Sequence, residues 1–157
     1  MVRIRPAERR DIDVLLDLWE ALMACGHEAD PRFRQAANGR EPMRTFMHAC
    51  FDAGSPFPPF LLAEAEHHPV GFIRGFPLNI VPVVEQAPSV RIGDLYVAPA
   101  WRRQGVARRL VDGLLERAAR NGYRRAEVGT LTNDARAVSF WRSLGFGDWQ
   151  VTLSREP

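Results

Sequence analysis

Apolar residues recur every three or four positions in four stretches of this chain, which is the spacing of one buried face of an α-helix. Asp11 is a good N-cap for the first stretch, and Gly26, Gly122 and Gly145 are typical helix terminators. We interpret the apolar stripe of the first helix as core rather than as a partner-binding face. The four predicted helices span residues 11–26, 41–51, about 104–121 and 135–144.

Shorter stretches alternate apolar and polar residues or form brief apolar runs, and both patterns are typical of β-strands. The segment 67–69 predicts a turn, so the strands on either side of it form a hairpin. Residues 77–86 contain two prolines and predict either a frayed edge strand or a mobile loop near the substrate. The predicted strands span residues 2–5, 60–66, 70–76, 90–97, 124–131 and 147–154.

The order of these elements, βααβββαβαβ, is typical of an α+β protein. The strand, helix and strand between residues 90 and 131 predict a right-handed crossover with parallel strands. We therefore expect an α+β fold with a mixed sheet and about four helices. A length of 157 residues suits one core, so we expect a single domain over residues 1–157.

The composition excludes several classes of function. A net charge of +2 is too small to indicate nucleic-acid binding, and with no lysine among the 21 basic residues no Schiff base can form. Cys25 and Cys50 lack metal-ligand spacing, so we predict no metal and reduced thiols, with a disulfide left open. Because the chain shows neither a signal peptide nor a long apolar stretch, we predict a cytoplasmic protein without a membrane partner.

The turn after the strand at residues 90–97 is the strongest candidate for a binding site. Pro99 ends the strand, Arg102 and Arg103 follow it, and Gly105 allows close backbone approach where a helix starts. Unpaired N–H groups and the helix dipole make a helix start an anion site, above all for phosphate. The alternative is a solvated arginine surface. The turn lacks the Lys-Ser/Thr of nucleotide hydrolases and the further glycines of a dinucleotide fingerprint.

Two motifs in the C-terminal half resemble one known family. The pattern Arg102-x-x-Gly105-x-Ala107 after a strand is similar to the coenzyme A signature of the GNAT superfamily of N-acetyltransferases. The second motif resembles the other signature of that family and reads Ala137-x-x-Phe140-Trp141-x-x-x-Gly145-Phe146. Strict spacing puts Asp134 in the place of the leading asparagine of this signature, with Asn133 one residue too early, so either of them can fill it.

The resemblance implies the GNAT acyl-coenzyme A N-acyltransferase fold, which is a central mixed, mostly antiparallel sheet with splayed parallel strands flanked by about four helices. It also implies acetyl-coenzyme A as cosubstrate. Main-chain N–H groups of the turn would bind the pyrophosphate, Arg102 would add charge-assisted contacts, and Gly105 would have to stay small. The pantetheine arm would lie along the strand at residues 90–97, where an N–H near Leu95 or Val97 polarises the thioester carbonyl. The cofactor-binding residues so implied are Leu95, Val97, Arg102, Arg103, Gln104, Gly105, Val106, Ala107, Arg108, Asn133 and Phe140.

Direct transfer to an amine needs one group that removes a proton from the amine and one that protonates the leaving thiolate. Asp94 is the candidate base, with a substrate-binding carboxylate and a plain surface residue as its alternatives. Trp141 stands where the family usually has its tyrosine acid, and a tryptophan N–H is a poor acid. Tyr96 is one candidate substitute; another group or solvent is the alternative.

The implied function is transfer of an acetyl group from acetyl-coenzyme A to a primary amine of a small molecule or peptide. A non-catalytic acyl-coenzyme A sensor on the same fold is the alternative, and a generic α+β interaction domain is a third interpretation. A homodimer is left open. The acceptor pocket is expected between the first two helices, residues 77–86 and the last strand. Candidate carboxylates for attracting a cationic amine are Glu20, Glu28, Asp30 and Glu85.

Overall fold

A computed structural model describes residues 1–79, 83 and 85–155 of the chain. Its strands form one five-stranded sheet whose spatial order follows the chain. They are β1 (Val2–Pro6), β2 (Phe60–Ala65), β3 (His68–Leu78), β4 (Ser89–Val97) and β5 (Arg125–Val128). β1 to β4 pair antiparallel and β5 pairs parallel to β4, which confirms the predicted mixed, mostly antiparallel sheet.

Four α-helices of the described chain flank the sheet near the predicted positions. They are α1 (Ile12–Ala29), α2 (Arg40–Asp52), α3 (Val106–Arg120) and α4 (Ala135–Ser143). The predicted end of α1 at Gly26 is wrong, because the helix continues to Ala29. A Cβ on Gly26 would lie 2.4 Å from Cδ1 of Phe33, so this glycine allows the ring to approach the helix rather than ending it.

Apolar side chains cover both faces of the sheet, in two layers. The layer under α3 and α4 includes Leu61, Ile73, Ile92, Val97, Leu110, Leu114 and Trp141. The layer under α1 and α2 includes Leu15, Leu16, Met47, Phe60, Leu62, Phe72 and Tyr96. Successive residues of a strand point to opposite faces, so a sheet covered on both sides needs strands that are apolar almost throughout.

β4 and β5 are paired only at one end. Their register runs from Ser89 to Ile92 of β4, and β4 then continues to Val97 without β5 beside it. A bulge at Gly93 adds one residue to β4 opposite β3, and bulges bend the strand that carries them. β5 is accordingly shorter than the predicted strand at residues 124–131. The two strands separate at their carboxyl ends and leave a gap beside the start of α3.

Two other β predictions are wrong. The hairpin turn consists of Glu66 and His67, with φ of +50° and +67°, and His68 already belongs to β3. Residues 147–154 form no strand, although their sequence alternates as a strand does. Residues 77–86 are predicted as either a frayed edge strand or a mobile loop. The first two of them belong to β3, and residues 80–82 and 84 lie outside the described residues.

Candidate functional site

The turn between β4 and α3 has a backbone suited to an anion. After a 3-10 turn at Pro99–Trp101, Arg103 and Gly105 have φ of +59° and +77°. Left-handed residues next to right-handed ones turn successive N–H groups toward one side and form a concave nest for anions. Gly105 is also the N-cap of α3, where φ of +77° favours glycine.

The N–H groups of residues 103–108 have no recorded acceptor, neither a carbonyl nor a side chain, among the described residues. The amide of Arg109 is the first with a partner, the Gly105 carbonyl oxygen at 3.0 Å. Successive amides at the positive end of a helix attract a negative ligand.

The side chains of this turn have different surroundings. Val106 is buried in the layer beneath α3, and Ala107 is half-buried. Gln104 Nε2 donates to a carbonyl of the preceding 3-10 turn at 2.9 Å, and Arg108 Nη2 lies 3.5 Å from the last carbonyl of α4. Arg103 is exposed, so its guanidinium adds positive charge beside the nest.

Arg102 is bound at the end of β4. Its Nε donates to the Val97 carbonyl oxygen at 2.8 Å, and its Nη2 lies 3.5 Å from Sγ of Cys25 on α1. The guanidinium carbon also lies 5.7 Å from the centre of the Tyr96 ring. A phosphate contact by Arg102 stays a prediction, because it requires the guanidinium to leave these partners.

The edge of β4 that borders the gap presents the main chain of Leu95 and Val97. At the end of the pairing with β3, the Ala98 N–H donates to the Val70 carbonyl oxygen at 2.8 Å. Main-chain groups alternate between the two edges of a strand, so the N–H groups of Leu95 and Val97 point away from β3. An extended ligand in the gap would meet these two amides.

Tyr96 is buried against α1, with 9% of its surface exposed. Burial raises the pKa of its hydroxyl, the nearby Cys25 sulfur raises it further, and the Arg102 guanidinium opposes both. The hydroxyl therefore keeps its proton at neutral pH but releases it reluctantly. Its role as the acid stays a prediction.

Asp94 forms an ion pair with Arg74, which lies opposite it on β3. Each of the two side chains is 15% exposed. The bulge at Gly93 shifts the alternation of β4 by one residue, which puts Asp94 on the α1–α2 face together with Tyr96. The base role stays a prediction, and it requires Arg74 to move so that an amine can reach the carboxylate.

Arg74 is the residue of this site that the sequence prediction missed. Its guanidinium carbon lies 5.1 Å from the ring centre of Phe46 on α2 and 4.9 Å from that of Phe76, within cation–π range. The guanidinium also covers Gly93, where a Cβ would lie 2.1 Å from Nη2. The sequence feature that could have revealed Arg74 is its position as the single charge inside an apolar run, Val70–Gly71–Phe72–Ile73–Arg74–Gly75–Phe76.

Asn133 and Asp134 have different partners at the start of α4. Asp134 is the N-cap, and its Oδ1 accepts a hydrogen bond from the Ala137 N–H at 3.0 Å. Asn133 Nδ2 donates at 3.2 Å to Oδ2 of Asp30, the buried residue that ends α1. Hydrogen bonds from the side chain and backbone of Arg32, with a smaller one from Asn133, hold the pKa of Asp30 at about 2. Contact between Asn133 and the coenzyme stays a prediction.

Trp141 belongs to the core rather than to the gap. It is 7% exposed, and its ring centre lies 5.1 Å from that of Phe140 and 5.2 Å from that of Phe146. Both neighbouring rings meet it edge to face, as aromatic pairs prefer. Phe140 is half-buried, and its contact with the coenzyme stays a prediction.

Two carboxylates expected to attract a cationic amine are already paired. Glu20 pairs with Arg40 at 2.5 Å and Asp30 with Arg32 at 2.6 Å, whereas Glu28 is exposed. Over residues 1–79, 83 and 85–155, no three His, Cys, Asp or Glu side chains are grouped to hold a metal ion. No helix of those residues has the length and apolarity needed to span a membrane.

A mixed sheet that opens between its parallel strands, with an anion nest beside the opening, is the architecture of a coenzyme A-dependent N-acyltransferase. A model of the acetyltransferase (GNAT) family matches residues 16–146. The chain therefore belongs to the GNAT family, which confirms the resemblance drawn from its two motifs.

Two curated relatives match parts of the chain. An uncharacterized N-acetyltransferase, MJ1207 of Methanocaldococcus jannaschii, is 27% identical over 92 residues, covering 59% of this chain and 40% of the relative. N-acetyltransferase 8 of Homo sapiens is 31% identical over 87 residues, covering 55% and 37%. The matches thus span about two fifths of the length of these relatives.

Solved structures match nearly the whole chain. The aminoglycoside N-acetyltransferase AAC(6')-Iy in complex with CoA has a TM-score of 0.80 at 17% identity, covering 99% of this chain and 95% of its own. A mutant of BH1408 from Bacillus halodurans has a TM-score of 0.81 at 18% identity, covering 99% of each chain. At such low identity these matches establish the fold alone.

Proposed function

We propose that the protein transfers an acetyl group from acetyl-coenzyme A to a primary amine of a small molecule or peptide. The observation that carries the proposal is the run of six main-chain amides at residues 103–108, which meet no acceptor in the described chain. This run lies where the coenzyme A signature of the family falls. The two free thiols, Cys25 and Cys50, suit the cytoplasmic location that we also propose.

The nest fits the diphosphate of the coenzyme. Gly105 presents its main chain without a Cβ, and Arg103 and Arg108 add positive charge that attracts the phosphates. Bound acetyl-coenzyme A would supply the thioester whose acetyl group is transferred. The N–H groups of Leu95 and Val97 would then hold the carbonyl oxygen and stabilise the negative charge that develops there.

The Arg74–Asp94 pair is the element through which the acceptor amine would be recognised. An incoming ammonium group can replace the Arg74 guanidinium beside Asp94, because both are cations that hydrogen-bond to a carboxylate. Asp94 would then accept the proton that the amine gives up as it attacks the thioester. The leaving thiolate would receive a proton either from the Tyr96 hydroxyl, which is protonated at neutral pH, or from solvent.

The identity of the acceptor needs a broad panel of amines. Several structural neighbours are aminoglycoside acetyltransferases, one of them solved with sisomicin. In this chain Glu20, Asp30 and Asp94 are each paired with an arginine, which lowers the attraction for a polycation. The panel should therefore contain amino acids and peptides as well as aminoglycosides and polyamines.

A non-catalytic acyl-coenzyme A sensor is the second candidate. Two observations favour it: Trp141, in the place of the family's acid, lies in the core, and the candidate base Asp94 is neutralised by Arg74. A sensor would bind the coenzyme as an enzyme does. Only turnover distinguishes the two.

Release of the coenzyme A thiol, measured with acetyl-coenzyme A and each amine, tests the proposal. We expect steady turnover with at least one amine and a fall in kcat of roughly 100-fold or more for Asp94→Asn. Asp52→Asn, at a carboxylate whose side chain is 65% exposed, is the matched control and should leave kcat unchanged. Full activity in both Asp94→Asn and Tyr96→Phe would disprove the proton-transfer roles while leaving the coenzyme site intact.

Thermal unfolding with acetyl-coenzyme A separates the remaining candidates. At about 100 times its dissociation constant the ligand should raise the free energy of unfolding by roughly 2.7 kcal/mol. Stabilisation without turnover of any amine would favour the sensor. No stabilisation at all would contradict both candidates and favour an interaction domain.

A further inference from the structure

Arg74 of β3 uses only part of its hydrogen-bonding capacity within the described chain. Its Nε donates to a carboxylate oxygen of Asp94, and among the described residues no other oxygen accepts from the guanidinium. A guanidinium has five N–H donors, so those of Nη1 and Nη2 are left for another acceptor. Both side chains are only 15% exposed, so water solvates neither charge fully.

The other neighbours of the guanidinium are two aromatic rings and a thiol. Its carbon atom lies 5.1 Å from the ring centre of Phe46 and 4.9 Å from that of Phe76. Burial raises the pKa of the Cys50 thiol, and Arg74 opposes that rise by its charge and by a hydrogen bond, although a thiol is a weak acceptor. Phe46 is 43% exposed, so a ligand can reach this side of α2.

An acceptor amine that binds at Asp94 leaves the guanidinium of Arg74 without its carboxylate. The amine needs this carboxylate as its proton acceptor, so the ion pair between the two side chains has to open. A desolvated charge without a partner is costly, and removing one member of a buried pair destabilises more than the intact pair stabilised. An amine without a negative group would leave Arg74 in that state. An amine that carries its own anion would not.

We propose that the acceptor is a free α-amino acid with an apolar side chain; this inference rests on the proposed acetyl transfer and narrows its acceptor. The α-ammonium group takes the place of Arg74 beside Asp94, and the α-carboxylate takes the place of Asp94 beside Arg74. Two ion pairs thus replace one, and both charges of the protein stay paired. A planar guanidinium binds a carboxylate through two parallel hydrogen bonds. The exposed ring of Phe46 contacts the apolar side chain of the amino acid.

The spacing of the two protein charges fits an α-amino acid better than other amines. Arg74 and Asp94 lie directly opposite each other on β3 and β4, in hydrogen-bonding contact. In an α-amino acid the ammonium and the carboxylate are attached to the same carbon atom, so its two charges are adjacent as well. A peptide separates its N-terminal amine from its carboxylate, and polyamines have no carboxylate. Such acceptors would satisfy Asp94 alone.

Thiol release from acetyl-coenzyme A with matched amines gives the first test. L-Phenylalanine and L-leucine are compared with 2-phenylethylamine and 3-methylbutylamine, which lack only the carboxylate, and with the two amino acid amides, which imitate a peptide N-terminus. We expect kcat/KM for the amino acids to be higher by at least roughly 30-fold, because the other amines leave a desolvated charge unpaired. Equal values for the three kinds of amine would overturn the proposal and leave the acetyl transfer standing.

Replacement of Arg74 distinguishes recognition of the carboxylate from a structural role. We expect Arg74→Met to bring kcat/KM for the amino acid and for its decarboxylated amine to within about 3-fold of each other, because specificity is the difference between the two affinities. A variant that only weakened the fold would lower both values and keep their ratio. Arg44→Met is the matched control, since Arg44 also pairs with carboxylates, those of Asp13 and Glu41, and it should keep the preference. A preference retained by Arg74→Met would overturn the proposal.

Calorimetry tests the amino acid site if no amine is turned over. The protein is first saturated with coenzyme A, and L-phenylalanine or 2-phenylethylamine is then titrated into it. Binding of the amino acid at least roughly 30-fold tighter than the amine, with the difference lost in Arg74→Met, would support the site and leave only the transfer reaction without support. If L-phenylalanine and L-leucine both fail to bind, the proposal is wrong.

Discussion

Gly105 and Gly122 lie at opposite ends of α3 and have almost the same backbone. Their φ values are +77° and +86°, and a Cβ on either would meet nothing within 4 Å. A side chain therefore costs the fold about the same at both positions, on the order of 1–2 kcal/mol for a left-handed residue. Only the Gly105 amide belongs to the nest, since the Gly122 N–H donates to the Ala119 carbonyl oxygen at 3.0 Å.

This pair of glycines isolates the contribution of the nest to coenzyme binding. We expect Gly105→Ala to weaken acetyl-coenzyme A binding by at least roughly 10-fold, about 1.4 kcal/mol. The reason is that the methyl group obstructs the phosphates and the strained backbone turns the amides away. Gly122→Ala should lose similar stability in urea and keep its affinity by calorimetry. Equal affinity losses in both variants would place the diphosphate elsewhere.

α3 and the sheet approach each other closely because one of the facing residues is a glycine. A Cβ on Gly75 of β3 would lie 2.6 Å from Cδ2 of Leu114, whereas a Cβ on Gly113 of α3 would lie 3.5 Å from Cδ1 of Leu61. The first contact is too short to exist without displacement, and the second is an ordinary one. Gly75 is therefore a packing requirement, and Gly113 only weakens its helix.

Alanine at these two positions should have opposite effects on stability. We expect Gly113→Ala to raise the free energy of unfolding by about 0.5–1 kcal/mol, because it reduces the entropy of the unfolded chain. Gly75→Ala should lower it by about 1–3 kcal/mol, because Leu114 must leave its position. Urea unfolding measures both. Stabilisation by Gly75→Ala would show that α3 moves away from the sheet at little cost.

At the scale of the whole molecule, two carboxylate networks connect elements that are distant in the sequence. Arg5 of β1 binds Asp11 and Glu64 at 2.7 Å each, and its hydrogen bonds hold the pKa of both carboxyls below their ordinary values. Asp30 joins the end of α1 to Asn133, 103 residues away, and its pKa is about 2. The two networks fix opposite ends of α1.

These networks predict a loss of stability in acid. A carboxyl whose pKa is lower in the folded state contributes fully above its unfolded pKa, near 3.8 for Asp30, and loses that contribution as pH falls toward about 2. The difference in unfolding free energy between the unsubstituted protein and the Asp30→Asn variant should therefore decrease as the pH falls from about 5 to about 2. Glu116→Gln removes only an exposed helix pair and serves as the control. A difference in unfolding free energy that stays constant with pH would contradict the assignment of this acid-dependent loss of stability to Asp30.

Features that depend on residues close together in the sequence could be predicted from the sequence. The four helices, the parallel crossover and the turn with Arg102 and Gly105 follow from periodicity, breakers and local motifs. Contacts between distant residues could not be predicted in the same way. The sequence contains no local sign that Arg74 neutralises Asp94 or that Asn133 reaches Asp30.

The sequence by itself therefore determined the family and the order of the helices and strands up to β5, whereas phosphate binding at the turn after β4 stays a prediction. The tertiary structure decided which face Asp94 occupies, because that depends on one extra residue at Gly93 opposite β3. It also decided that residues 147–154 stay unpaired, although their alternation predicts a strand. Alternation records only which side chains can be buried together, whereas a strand forms only where another main chain lies within hydrogen-bonding distance.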